Sequence, residues 1–207
     1  RDRFLRTVLR FPNANYVTTF GRRPGAHDIN FYSTLWPTAS DAAGAVAVRE
    51  RELYGTTRTW VATWYDSTLP YWFLERTFVT LNCMQTQVAE RLALQDGMYN
   101  LDEGVNCCPG NCTHVWQYAQ GLARIFPVIE RECRDKVEYG KGFRPTDGSI
   151  NFRHSIVPLK GAIDGKCGTI LRVLRDSQMT ADYRFLESNW DRTRLSMDHV
   201  IRKWDPD

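Results

Sequence analysis

The chain has 207 residues, 43% of them hydrophobic, which is enough to bury a core and unlike a disordered segment. Its 27 basic and 24 acidic residues give a formal net charge of +3 with no long run of one sign, so neither nucleic acid nor an anionic membrane surface is indicated as a partner. No run of about 18 apolar residues is present, so no membrane-spanning helix is expected in these residues.

Six cysteines are present, and Cys107, Cys108 and Cys112 fall within six positions, where mutual pairing is strained. Free thiols are the expectation, and with them a reducing, cytoplasmic setting. The sequence opens on Arg1 and closes on "KWDPD", which reads as a piece of a longer protein. Nothing in it indicates an oligomeric state.

Residues 1–39, with "FPNANY", "GRRPG" and "WPTAS", read as irregular or extended chain. Ser40 is a natural N-cap for a helix over about 41–54 that stops at Gly55. "TTRTWVATWY" then puts Trp60 and Trp64 on one helical face and breaks at "DSTLP". Pro70 opens the next helix, where Leu74, Phe78, Leu81, Val88 and Leu92 form an apolar stripe. Asp96-Gly97 signals a tight turn, with Met98 to Leu101 as the second arm of a small hairpin.

Thr113 can cap a further helix through Val115, Tyr118, Leu122, Ile125 and Ile129, kinked late by Pro127. "VEYGKGFRPTDGSINFRHS" reads as a long loop or second hairpin. Two helices follow, over "GTILRVLRDSQ" and about 182–203, the latter presenting Phe185, Leu186, Trp190, Met197 and Val200 as its apolar side. The class is mainly α, with short β-hairpins in the loops.

The segment "DEGVNCCPGNCTHVWQYAQ" (102–120) concentrates the chemistry. Cys107, Cys108, Cys112 and His114 carry zinc-type donors, but no second pair stands at a standard spacing and adjacent cysteines point apart, so no metal is assigned. A cysteine nucleophile with His114 as base is weaker still, since such pairs are normally distant in sequence. Asp102 and Glu103 sit where a short strand gives way to a loop, and Asp66 and Asp164 lie between helices; paired carboxylates are what glycoside hydrolysis needs. Trp64, Tyr65, Trp72, Trp116 and Tyr118 would suit sugar stacking. Loop acids as solvated or capping residues, and these aromatics as core, are the competing reading.

The segments "WYDSTLPYWFLERTFVTLNCMQTQ", "DEGVNCCPGNCTHVWQYAQGLARIFPVIER" and "DGKCGTILRVLRD" resemble, in order and spacing, the catalytic region of glycoside hydrolase family 116, which includes non-lysosomal glucosylceramidases and bacterial β-glucosidases. The likeness runs from about Phe11 onward, and its most specific part is Glu-Gly followed by C-C-x-G-x-C-T-H-V-W-x-Y.

The resemblance implies a partial (α/α)6 toroid: residues 1–39 as the lead-in from an N-terminal β-sandwich, and 40–207 as the first half of the catalytic domain. It implies a retaining mechanism on a β-linked glycoside, with a carbohydrate partner and no cofactor. The family's nucleophile falls on Glu103. Thr113, His114 and Asp164 become substrate-binding candidates, with Asp164 open between touching sugar and capping its helix. The family's acid/base aspartate lies downstream of the "WD-x-D" stretch that ends at Asp207, so these residues alone are expected to be inactive. The cysteines become the packed wall of the loop that fixes Glu103. A helical module that binds a glycan or a protein without catalysis is the alternative.

Overall fold

The computed structural model describes residues 16–17, 28–78, 89–93, 97–101, 110–118, 121–153 and 161–205, and these are mainly helical. A two-residue antiparallel ribbon, β1 (Tyr16–Val17) with β2 (Asp28–Ile29), precedes one helical turn, α1 (Tyr32–Leu35). The next helix starts before Ser40, because Thr38 is its cap. The Thr38 hydroxyl accepts the Asp41 N–H at 3.1 Å, and the Asp41 carboxylate accepts the Thr38 N–H at 3.0 Å, a reciprocal capping box. α2 (Ala39–Val48) breaks at Arg49, and α3 (Glu50–Tyr65) runs through Gly55. The expected stop at Gly55 is thus corrected: one interior glycine costs about 1 kcal/mol, too little to end a helix of 16 residues.

α3 ends ahead of Asp66, with Trp60 and Trp64 edge to face at 5.8 Å, and α4 (Tyr71–Phe78) follows Pro70 directly. The helix expected to reach Leu92 does not. Leu92 lies fully buried in strand β3 (Ala89–Leu92), while Leu81 and Val88 fall outside the described residues. An even spacing such as 88 to 92 puts two residues on one face of a strand as well as of a helix, so the stripe could not separate the two. β3 pairs antiparallel with β4 (Met98–Leu101), Leu92 opposite Met98, and Gly97 at φ +68° supplies the left-handed turn.

Where one helix was expected after Thr113, the described residues form α5 (Thr113–Tyr118), α6 (Gly121–Ile125) and α7 (Pro127–Glu132), with a break at Phe126 and with residues 119–120 outside the described residues. Pro127 begins a new helix, where its missing N–H costs nothing. α7 continues into a π-helix, Cys133–Lys141, which absorbs the start of the expected loop. A Cβ on Gly140 would stand 2.7 Å from the Asp135 carbonyl oxygen, so the widened turn requires glycine there. The expected second hairpin reduces to a Phe143–Ile150 bridge around Gly148 at φ +77°.

α8 (Ile163–Met179) and α9 (Arg184–Trp204) pack together. On α9 the expected apolar side is corrected in part: Phe185, Leu186 and Val200 are half-buried, Leu186 against the cluster of Tyr139, Ile150 and Val173, but Trp190 and Met197 are exposed, and the fully buried line is Asn189, Thr193 and Ser196. These small polar groups can be buried because their own helix partly satisfies them, Thr193 Oγ1 donating to Asn189 O and Asn189 Nδ2 to Phe185 O. No described helix is long and apolar enough to cross a membrane.

The π-helix is the spine of the core. Val137 meets Leu92 and Met98, Cys133 meets Leu101 and Leu122, and Tyr139 meets Ile150 and Val173. Its polar side carries a buried ion network: Glu130, Arg134 and Glu138 succeed one another at four-residue spacing, and Arg172 and Arg175 of α8 close on Glu138 and Glu130 at 2.5 and 2.8 Å. Arg131 adds a forked contact to Asp176. Burial raises the Glu130 carboxyl, but Arg134, Arg172 and Arg175 outweigh it and hold the group below its usual value. Burial pulls Arg134 and Arg172 down to about 10, so both stay charged at neutral pH.

Removing one partner strands a buried charge, so Arg172→Met should lower the urea unfolding free energy by about 3–5 kcal/mol at pH 7. Glu130 has a lowered folded pKa, so its contribution is present above its unfolded value of about 4.5 and is lost as pH falls through the folded value. Urea titrations from pH 6 to acid should show that loss in wild type and a flatter acid limb in Glu130→Gln.

Candidate functional site

The site is built from a clamp and a helix junction. At the end of β4, the Leu101 carbonyl accepts two donors, the Asn111 N–H at 2.7 Å and the Trp116 indole N–H at 2.9 Å. The Asn111 side chain completes the clamp: its Oδ1 accepts the Leu101 N–H at 3.0 Å, and its Nδ2 donates to the Tyr99 carbonyl at 3.1 Å. Asn111 sits at φ +62°, a left-handed conformation that asparagine tolerates better than other non-glycine residues. Residues 101 and 111 are therefore held side by side. Asp102, Glu103, Cys107 and Cys108 lie outside the described residues, with Glu103 two residues along the chain from Leu101 of the clamp.

A cavity of about 10 Å³, room for one water, lies between the clamp and the ion network, lined by Leu101, Asn111 and Trp116 on one side and Glu130, Arg134 and Arg172 on the other. Cys133 also borders it, and burial pushes its thiol up to about 12, so it packs as a neutral group.

α5 begins immediately after the clamp. Its Thr113 N–H donates to the Phe152 carbonyl at 3.0 Å, and Thr113 is buried as the first helical residue, so the cap expected of it is corrected to a packing role. The first turn of α8 docks against this start at Gly165, where a Cβ would overlap the Thr113 hydroxyl and stand 2.8 Å from the His114 nitrogen. That close approach sets Asp164 beside His114, Oδ2 to Nδ1 at 3.4 Å, with both side chains partly exposed. Asp164 is not the cap of α8; Ala162 holds that position, and the Asp164 carboxylate lies in the first turn, where the helix dipole favours it. The His114 ring stands edge-on to Phe152 at 4.8 Å.

Of the residues singled out from the sequence, His114 and Asp164 come together at the surface and Thr113 lies beneath them. Trp116 donates its indole N–H to the clamp and packs, partly buried, on the Leu101–Leu122 cluster, a structural use. Asp66 closes α3, and Tyr65 and Trp72 sit exposed on α3 and α4, outside the α5–α8 junction. Among the described residues no three His, Cys, Asp or Glu side chains are grouped to hold a metal ion. Sequence reasoning missed Asn111 and Phe152. An asparagine just after Pro-Gly was the available signal for the first; nothing marked the second. No protein-family model matches the chain, and no curated protein matches it either.

Two substitutions separate the parts of the clamp. Asn111→Gly keeps the left-handed backbone and loses the side-chain bonds, at about 1–3 kcal/mol; Asn111→Ala adds backbone strain of roughly 1 kcal/mol more. Urea midpoints should rank wild type above Gly, and Gly above Ala. Gly165→Ala should cost about 1–3 kcal/mol by overpacking.

Proposed function

We propose that this chain belongs to the catalytic region of a retaining β-glycosidase of the family 116 kind, with residues 40–207 as the first half of an (α/α)6 toroid and Glu103 as nucleophile. The observation that carries the reading is the clamp, which ties both ends of the segment bearing Glu103 to the start of α5, next to the His114–Asp164 pair. A nucleophile has to be held to within a fraction of an ångström, and a rigid strand end with locked neighbours is the support it needs.

In this mechanism ionised Glu103 attacks the anomeric carbon while an acid protonates the departing oxygen, and water then cleaves the glycosyl ester. The acid is the aspartate that the resemblance puts downstream of residue 207. Asp164 orients the His114 ring through Nδ1, which leaves Nε2 for a sugar hydroxyl. Thr113 acts from below, as the packed base of that pair.

The test is hydrolysis of an aryl β-glucoside by the full-length gene product. Glu103→Gln should lower kcat by about a thousandfold or more, a loss of roughly 4 kcal/mol of transition-state stabilisation, with circular dichroism unchanged. A folded wild type inert on a panel of β-glycosides would instead support a helical module that binds a glycan or protein without catalysis.

A further inference from the structure

Lys166 lies two residues past Asp164, roughly 200° around α8, and is 2% exposed. Its ammonium stands 5.1 Å from the centre of the Trp204 indole ring, and Lys203 brings a second ammonium to 4.7 Å from the same ring. The His199 ring lies 5.9 Å from that of Trp204. His199 Nδ1 donates to the Asp147 carbonyl at 2.9 Å, which keeps the proton on Nδ1 and makes Nε2 an acceptor. That Nε2 is buried and has no hydrogen-bond partner.

Among the described residues neither lysine has an ion pair or hydrogen bond. Asp147 acts on Lys166 at longer range, but its Oδ1 accepts the Ser149 N–H at 2.9 Å and its Oδ2 lies 3.8 Å from His199 Nδ1. An indole face offsets only part of the cost of burying an ammonium, and two ammonium groups on one ring repel each other. The missing component is an anion that takes two positive charges and also offers a hydrogen to Nε2.

We propose that Lys166, Lys203, His199 and Trp204 form a binding site for inorganic phosphate. Hydrogen phosphate satisfies every member: its charged oxygens accept from the two ammonium groups, its remaining P–OH donates to His199 Nε2, and the indole walls one side. Sulfate has the charge and shape but no proton to offer. The two anions should therefore bind differently while His199 is neutral, and phosphate should lose that advantage once His199 is protonated. His199 is faced by Asp147 from the loop after the π-helix, by Lys166 from α8, and by Arg202 and Lys203 of its own helix. Burial and Lys166 lower its pKa, so it is neutral well above pH 6.5.

Titration calorimetry on the full-length protein at pH 8 and constant ionic strength tests this with sodium phosphate, sodium sulfate and phenyl phosphate. Saturable phosphate binding is expected, about tenfold or more tighter than sulfate, a ratio set by the one hydrogen bond that sulfate cannot make. Phenyl phosphate, which has lost its P–OH at this pH, should behave like sulfate; tighter binding than free phosphate would overturn inorganic phosphate as the ligand. Lys203→Gln, an exposed change that spares the fold, should weaken phosphate by about tenfold. At pH 5.5, where free phosphate is mostly the singly charged dihydrogen form while sulfate keeps both charges, the preference over sulfate should shrink. No saturable phosphate binding, or equal affinity in wild type and Lys203→Gln, would overturn the site.

Discussion

The charge network that joins α7 and the π-helix to α8 is the interaction on which the rest of the chain depends. Glu130 and Glu138 would be untenable inside the protein without Arg134, Arg172 and Arg175, and each of those arginines needs a carboxylate in turn. Nonspecific apolar packing would let α8 slide along the π-helix. Charges matched at 130 with 175 and at 138 with 172 fix its register. The network is thus a device for position more than for net stability, since an apolar replacement of similar volume can be just as stable.

Register matters because α8 positions both the His114–Asp164 pair and Lys166. With Arg172 and Arg175 fixed, the first turn of the helix falls where Gly165 touches Thr113, so Asp164 meets His114 on one side and Lys166 turns inward to Trp204 on the other. The clamp at Leu101 rests against the same network across a water-sized cavity. The clamp borders this buried polar layer, and the helix that carries Asp164 and Lys166 is held by it.

Much of the local structure was legible where a residue has a single physical use. Asp96-Gly97 foretold the hairpin, Pro70 the start of α4, and the Trp60–Trp64 spacing a shared face. Misreadings arose where one pattern serves two structures. The 88–92 spacing fits a strand as well as a helix, and α9 turns its small polar line inward although its large apolar residues stand at helical spacing. The π-helix was hidden because it is defined by backbone bonds five residues apart, such as Gly142 N–H to the Val137 carbonyl, while the side chains of Glu130, Arg134 and Glu138 stand at ordinary α-helical spacing and their partner Arg172 lies 34 residues beyond Glu138. The His114–Asp164 pair was readable only as two separate candidates; what unites them is the absent Cβ of Gly165, a tertiary fact.

The central functional claim is that Glu103 is a glycosyl acceptor, and covalent trapping tests it most directly. A 2-deoxy-2-fluoro-β-glucoside with a dinitrophenolate leaving group needs no acid for the first step, and its fluorine slows release of the ester. Incubation with the full-length protein followed by peptide mass spectrometry should find one added fluoroglucosyl group on the peptide that contains Glu103, and none in Glu103→Gln. A label on another carboxylate, or a folded protein that takes up no label, would contradict the account.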